Sequence, residues 1–300
     1  MKNVQKIKND SSNPPEPAQK AGELFLIPTP LGAGPHEHVL PELVRKTLYS
    51  IDTFFVERIR QTVSFLKWIK HPVPDYKCRF FELNKHTPAE DLLPMIRLLK
   101  EGNNAAILSE AGCPAVADPG GTLVALAHEA GIRVIPLVGP SSIILALMAS
   151  GLNGQLFSFN GYLPRPGAAQ SRMIRHLEQR SARTGSTEIF METPYRNDQL
   201  ISHLLDILQD TTKLCLAASL TLPEESTVTR TITEWKKERP VLHQQPVIYL
   251  LLAEPDHTTR KTDQATRKSD HIFRKTSHAP RKVGRKKKAR PSGKKAGRKK

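Results

Sequence analysis

Cysteine is scarce in this chain. Cys78, Cys113 and Cys215 are scattered, with no CxxC pair and no nearby histidine at ligand spacing. That excludes a disulfide framework and a zinc site, and it fits reduced thiols in a cytosolic protein. Long apolar runs are missing too: stretches such as Ile143–Ala149 and Val247–Ala253 fall far short of a membrane span. Residues 1–21 are polar and proline-rich without an apolar core, so neither a secretion signal nor ordered structure is expected there. No internal repeat is visible. Net charge is absent from most of the molecule: the total is +16, yet residues 1–256 hold 27 basic and 27 acidic side chains.

The whole excess therefore sits on residues 257–300, where 18 lysines and arginines face only Asp263 and Asp270. That segment carries one aromatic residue, Phe273, and cannot bury enough apolar surface to offset its ordering entropy. A disordered basic tail that contacts nucleic-acid phosphates is expected, with a solubilising extension as the plain alternative.

Within the body, short apolar runs at Leu24–Pro28, Thr53–Val56, Arg79–Leu83, Ala105–Leu108 and Ile132–Leu137 alternate with helix-period segments. The pattern predicts an α/β domain over residues 22–138 with an open, mainly parallel sheet, Ala105–Leu108 and Ile132–Leu137 being fully buried strands. Residues 139–256 place strands at Leu156–Asn160, Glu188–Glu192, Lys213–Ser219 and Val247–Ala253 with more hairpin-like spacing, which predicts a second αβ domain with a mixed sheet. A polar helix over 168–183 carries Arg172, Arg175, Arg180 and Arg183, the best basic patch of the body unless it is merely a solvated face.

Several strand ends run into loops of glycine, proline and small polar residues, among them Ser109–Gly121 and Gly139–Ser142. Open α/β sheets bind ligands at that edge. The GAGPHE stretch after the first strand is not a dinucleotide fingerprint, because proline stands where a phosphate-binding helix would begin. After Thr53–Val56 come Glu57 and Arg60, a constellation that positions a hydroxyl or phosphate, or else a surface pair capping the helix Thr62–Ile69. His86 reads as a solvated loop residue. Asp118 either caps the helix starting near Gly121 or faces a ligand.

Taken together, SEAGCPAVADPG at 109–120, VGPSS with ALMASGL, LFLIPTPLG, FSFNGYLP, FMETPYR and LTLPEES resemble, in order, the motifs of the class III (tetrapyrrole-methylase-like) S-adenosylmethionine-dependent methyltransferases. The resemblance is to the ribosomal RNA small subunit methyltransferase I branch and covers roughly residues 22–254. It implies two domains with S-adenosylmethionine folded in the cleft between them. Carried over residue by residue, it implies cofactor contacts at Pro30, at Glu110, Ala111, Gly112, Pro114 and Asp118, at Ser141 and Ser142, and at Tyr162, Thr193 and Pro194. No metal is implied. The chain departs from the branch at 33–38, where G-N-L-x-D-I is missing, at Arg58–Ile59, and at 219–222, where E-L-T-K is expected.

A ribose 2′-hydroxyl is a weak nucleophile, so transfer to it benefits from a base or a charge that lowers its pKa. Glu57 and Glu192 are the candidates, with Arg60 as orienter. The expectation is 2′-O-methylation of small-subunit ribosomal RNA by a cytoplasmic enzyme, a homodimer as the family typically is. Two alternatives stay open: methylation of a tetrapyrrole or other small acceptor, and a non-catalytic RNA-binding or ribosome-assembly factor on the same fold.

Overall fold

The computed structural model describes residues 20–255, leaving aside the side chain of His36. The expected tail and most of the expected N-terminal segment lie outside the described residues.

The first half alternates strand and helix: β1 (Glu23–Ile27), α1 (Glu42–Tyr49), β2 (Thr53–Val56), α2 (Ile59–Trp68), β3 (Arg79–Glu82), α3 (Ala89–Lys100), β4 (Ala105–Leu108), α4 (Gly121–Glu129) and β5 (Arg133–Pro136). The strands form one sheet in the order β3-β2-β4-β1-β5, every pair parallel. Helices on both faces explain the uninterrupted apolar runs. In β4, Ala105 and Ile107 join the cluster with Leu92, Leu99 and Leu123, while Ala106 and Leu108 join the opposite cluster with Val44, Leu48 and Leu66. β5 corrects one expectation. It is an edge strand bonded to β1 alone, and its ends at Arg133 and Pro136 are exposed rather than buried.

The second half runs α5 (Ser142–Ser150), β6 (Phe157–Tyr162), α6 (Ala168–Thr184), β7 (Thr187–Met191), α7 (Asn197–Ile207), β8 (Lys213–Ala218), β9 (Ser226–Thr231), α8 (Ile232–Lys237) and β10 (Val247–Leu252). Its sheet has the order β6-β7-β10-β8-β9; β6–β7 is parallel and the other pairs are antiparallel. β10 lies at its centre. Val247, Tyr249 and Leu251 pack with α6, α7 and α8 on one face, while Ile248 and Leu250 pack with α5 on the other. β9 was not expected, because STVTRT lacks large aliphatics; its β-branched threonines and valine suit the edge position it takes. Arg180 does not belong to a basic patch: it turns in to pair with the fully buried Glu188, and its guanidinium also donates to Asn160. Arg172, Arg175 and Arg183 stay exposed.

Leu31, in the loop after β1, packs against the α5 face of the second sheet. The strand-end loops of the first sheet thus meet the second sheet.

Candidate active site

Loops from the carboxyl ends of β1, β4 and β5 are knitted together. Thr29 and Gly112 exchange two backbone hydrogen bonds at 3.0 Å. The Thr29 hydroxyl donates to the Ser109 carbonyl at 3.1 Å, the Ser109 hydroxyl to the Gly112 carbonyl, and the Cys113 thiol to the Pro140 carbonyl at 3.5 Å. Two glycines permit this. Gly112 adopts φ 80°, a left-handed conformation that suits a residue without Cβ. A Cβ on Gly139 would stand 2.4 Å from Pro28 Cβ, so only hydrogen fits between those loops. Ala115 and Ala117 also have positive φ, 62° and 59°, a conformation that costs an alanine roughly 1–2 kcal/mol. Such costs persist where surrounding structure enforces them, and they cluster at ligand sites.

The loops and the second sheet enclose a cavity of about 310 Å³. Of the expected residues, Glu110, Ala111, Gly112, Asp118, Ser141, Ser142, Tyr162, Glu192 and Pro194 line it. Pro30 and Glu57 instead line an adjoining cavity of about 310 Å³, which shares Leu31 and Glu110 with the first. Pro114 is buried and lines neither cavity, and neither does Thr193, whose N–H donates to Glu192 Oε1 at 2.7 Å. Arg60 also lines neither. Of the two it is Arg58, one of the departures from the branch pattern, that stands beside a lining carboxylate, 3.3 Å from Glu110. The capping alternatives fail: α2 and α4 have Arg58 and Gly120 at their N-caps, neither with a side-chain capping bond.

The cavity is acidic. Burial first, then repulsion from Glu57 and Glu110, pushes the Asp118 carboxyl up to about 6. The Glu110 carboxyl is raised by burial and by Glu57, against the pull of Arg58. Burial, with Asp118, Glu192 and Glu57, raises the Tyr162 phenol. Glu192 is 4% exposed; its Oε1 accepts from Thr193 and from Arg196 Nε at 2.9 Å, while Oε2 has no partner among the described residues. Among the described residues, no lysine, arginine or histidine lines the cavity. An unpaired buried carboxylate oxygen is costly without a ligand. The arrangement favours an organic cation with an apolar part.

Sequence reasoning missed the apolar wall: Leu31, Val116, Met191, Ala217, Leu220 and Ile248. Leu31 lay within the LFLIPTPLG motif, but nothing local marked the ends of β8 and β10 as facing the loops.

A family model for Tetrapyrrole (Corrin/Porphyrin) Methylases matches residues 30–236. The chain is 30% identical to ribosomal RNA small subunit methyltransferase I of Haemophilus influenzae, over 78% of this chain and 80% of that one. It is 30% identical to the protein of that name from Thermotoga maritima, over 73% and 95%. Against the one from Vibrio cholerae it is 32% identical over 66% of this chain, and the match spans 65% of the relative's length. Among solved structures, the methyltransferase CobJ superposes with a TM-score of 0.52 at 15% identity, covering 78% of this chain and 95% of that one. A conserved hypothetical protein of Aeropyrum pernix K1 does so with 0.56 at 17%, covering 80% and 87%. These two likenesses show the fold.

Proposed function

The chain belongs to the tetrapyrrole methylase family, whose methyl donor is S-adenosylmethionine, and we propose that it delivers the methyl group to RNA of the small ribosomal subunit, at a ribose 2′-hydroxyl. What carries the reading is the acidic cleft, with the unpaired Glu192 Oε2 and the Asp118 and Glu110 carboxyls around one cavity. The names of the relatives supply the acceptor class.

The cleft fits that donor on chemical grounds. When bound, the cofactor supplies a methyl group already activated on a sulfonium. Glu110, Asp118 and Glu192 supply negative charge to hold a cation, and the apolar wall of Leu31, Met191, Leu220 and Ile248 suits a flat base. Ser141 is the N-cap of α5 and spends no side-chain bond on capping, so its hydroxyl and the adjacent backbone N–H groups suit a carboxylate. On this reading the cleft lies between domains 22–138 and 139–256.

On the acceptor side we assign Glu57 and Glu192 the handling of the hydroxyl proton, and Arg60, exposed at the start of α2, the positioning of a phosphate. Arg58 steadies Glu110 at the rim. We place its action in the cytoplasm, with the ribosomal RNA that its relatives' names point to. No helix among the described residues is long and apolar enough to cross a membrane. Ile144 and Met148, exposed one turn apart on α5, support a homodimer.

Nucleoside mass mapping of small-subunit ribosomal RNA, with and without the protein, tests the function. One ribose-methylated nucleotide should lose its methyl group in the absence of the protein and regain it when purified protein is added. An unchanged map sinks the reading.

A further inference from the structure

The adjoining cavity has a composition of its own. Its outer wall includes one stripe of α2, Gln61, Ser64, Phe65 and Trp68, at the i, i+3, i+4, i+7 spacing of a single helix face. The Phe65 and Trp68 rings stand 6.2 Å apart at 57°, and Trp68 is 41% exposed. The hydroxyls on this wall are committed inside the protein: Thr29 donates to the Ser109 carbonyl, Thr62 to Arg58 and Ser64 to Arg60. The Gln61 amide and the Glu57 carboxylate are held by no hydrogen bond or ion pair among the described residues.

Charge decides what such a cavity takes. Glu57 and Glu110 line it, and no cationic side chain among the described residues does, so its charge disfavours a phosphate inside it. A neutral ring with N–H groups on its edge is accepted. Aromatic side chains bind single-stranded nucleic acid through the faces of its bases, which every base presents. A carboxylate selects an edge bearing a donor, and a side-chain amide both donates and accepts.

We propose that this cavity holds a base of the acceptor RNA, stacked on Trp68 and Phe65, with an amino group of its edge turned to Gln61 and to one Glu57 oxygen, the other being left for the hydroxyl proton. The proposal rests on the RNA reading above. It gives the second cavity a purpose: a base seated there leaves its ribose at the wall formed by Leu31 and Glu110, which the cofactor cleft shares.

The full chain provides the test, with purified small ribosomal subunits lacking the methyl group as substrate. Trp68→Ala should lower kcat/KM for RNA roughly tenfold to a hundredfold, the range of a lost base-stacking contact, while cofactor affinity stays within twofold, roughly the scatter of a titration. Trp68→Phe should recover most of the loss, which a merely structural role would not require. Gln61→Ala should shift the preference among substrate bases at the modified position. If the wild type is active and Trp68→Ala matches it, the pocket assignment is wrong and the function stands.

If the wild type methylates no RNA, the function fails and the pocket is judged by fluorescence. The chain has two tryptophans, and Trp235 is buried with its N–H donating to the Leu214 carbonyl. In Trp235→Phe protein, uncharged nucleosides should quench Trp68 saturably, and those with amino-bearing bases should do so at lower concentration than uridine. Absence of saturable quenching, or an equal response to all four, overturns the proposal.

Discussion

Asp118 binds its proton more tightly in the folded protein than in water, because burial and the carboxylates of Glu57 and Glu110 disfavour its charge. With the folded value raised to about 6, its contribution to stability is present below the unfolded value of 3.8 and lost as the pH rises through about 6. Asp118→Asn should therefore raise the melting temperature of the ligand-free protein above pH 6, as thermal scans across pH would read. Binding runs in the opposite sense. The ionised carboxylate attracts a cation, so cofactor affinity should fall as the pH drops through about 6, and Asp118→Asn should flatten that dependence in calorimetry. An equally steep profile in the variant would remove Asp118 from the binding set. Glu192 separates structure from chemistry differently. Its side chain is fully buried against an Arg196 that is 21% exposed. Glu192→Ala leaves that arginine unpaired and should cost roughly 3–5 kcal/mol in denaturant unfolding. Glu192→Gln keeps a carbonyl oxygen for Thr193 and Arg196 but removes charge at Oε2. It should stay folded and lose most labelled-methyl transfer; wild-type turnover would make Glu192 purely structural.

At the scale of elements, the loops depend on close backbone approach. Gly139→Ala forces Pro28 away and should destabilise the protein by about 1–3 kcal/mol, as overpacking does, while weakening cofactor binding. Gly121, at the start of α4, has nothing within 4 Å of a built Cβ. Gly121→Ala should accordingly be neutral or stabilise by up to about 1 kcal/mol through helix propensity. Thermal unfolding of the two variants side by side checks the contrast; equal behaviour would mean that the loop contact between Pro28 and Gly139 constrains nothing. The central strands were legible because β2 and β4 are buried on both faces and read as unbroken apolar runs. Edge strands were not: β5 looked buried and β9 looked like loop, since sheet position rather than local sequence sets their exposure. The same applies to Arg180, whose neighbours on α6 look alike in sequence. Only the arrival of Glu188 and Asn160 beneath it made it a structural arginine.

For the whole molecule, charge is divided between a neutral body and a basic end. We propose that residues 257–300 attract RNA chiefly by counterion release, with log affinity falling against log salt by about 0.7 per phosphate neutralised on single strands. Removing residues 257–300 should lower that slope by several units while leaving sequence preference and cofactor affinity unchanged, because phosphate contacts position without reading bases. Binding isotherms across a salt series decide it. Coincident slopes would make the segment passive and move RNA contact to the exposed Arg172, Arg175 and Arg183.

The strand-end loops, their glycines and prolines, the α/β class and the family motifs were all determined by the sequence, because local backbone geometry and helix or strand period are properties of neighbouring residues. The resemblance to the family motifs implied Glu110, Asp118, Ser141 and Tyr162, and these line one cavity. Which carboxylates share one cavity, that Arg58 rather than Arg60 stands beside Glu110, and that Glu192 keeps one oxygen unpaired among the described residues were decided by tertiary structure. Those facts depend on distances between residues far apart in the chain, and charge acts through space, so no window of sequence contains them.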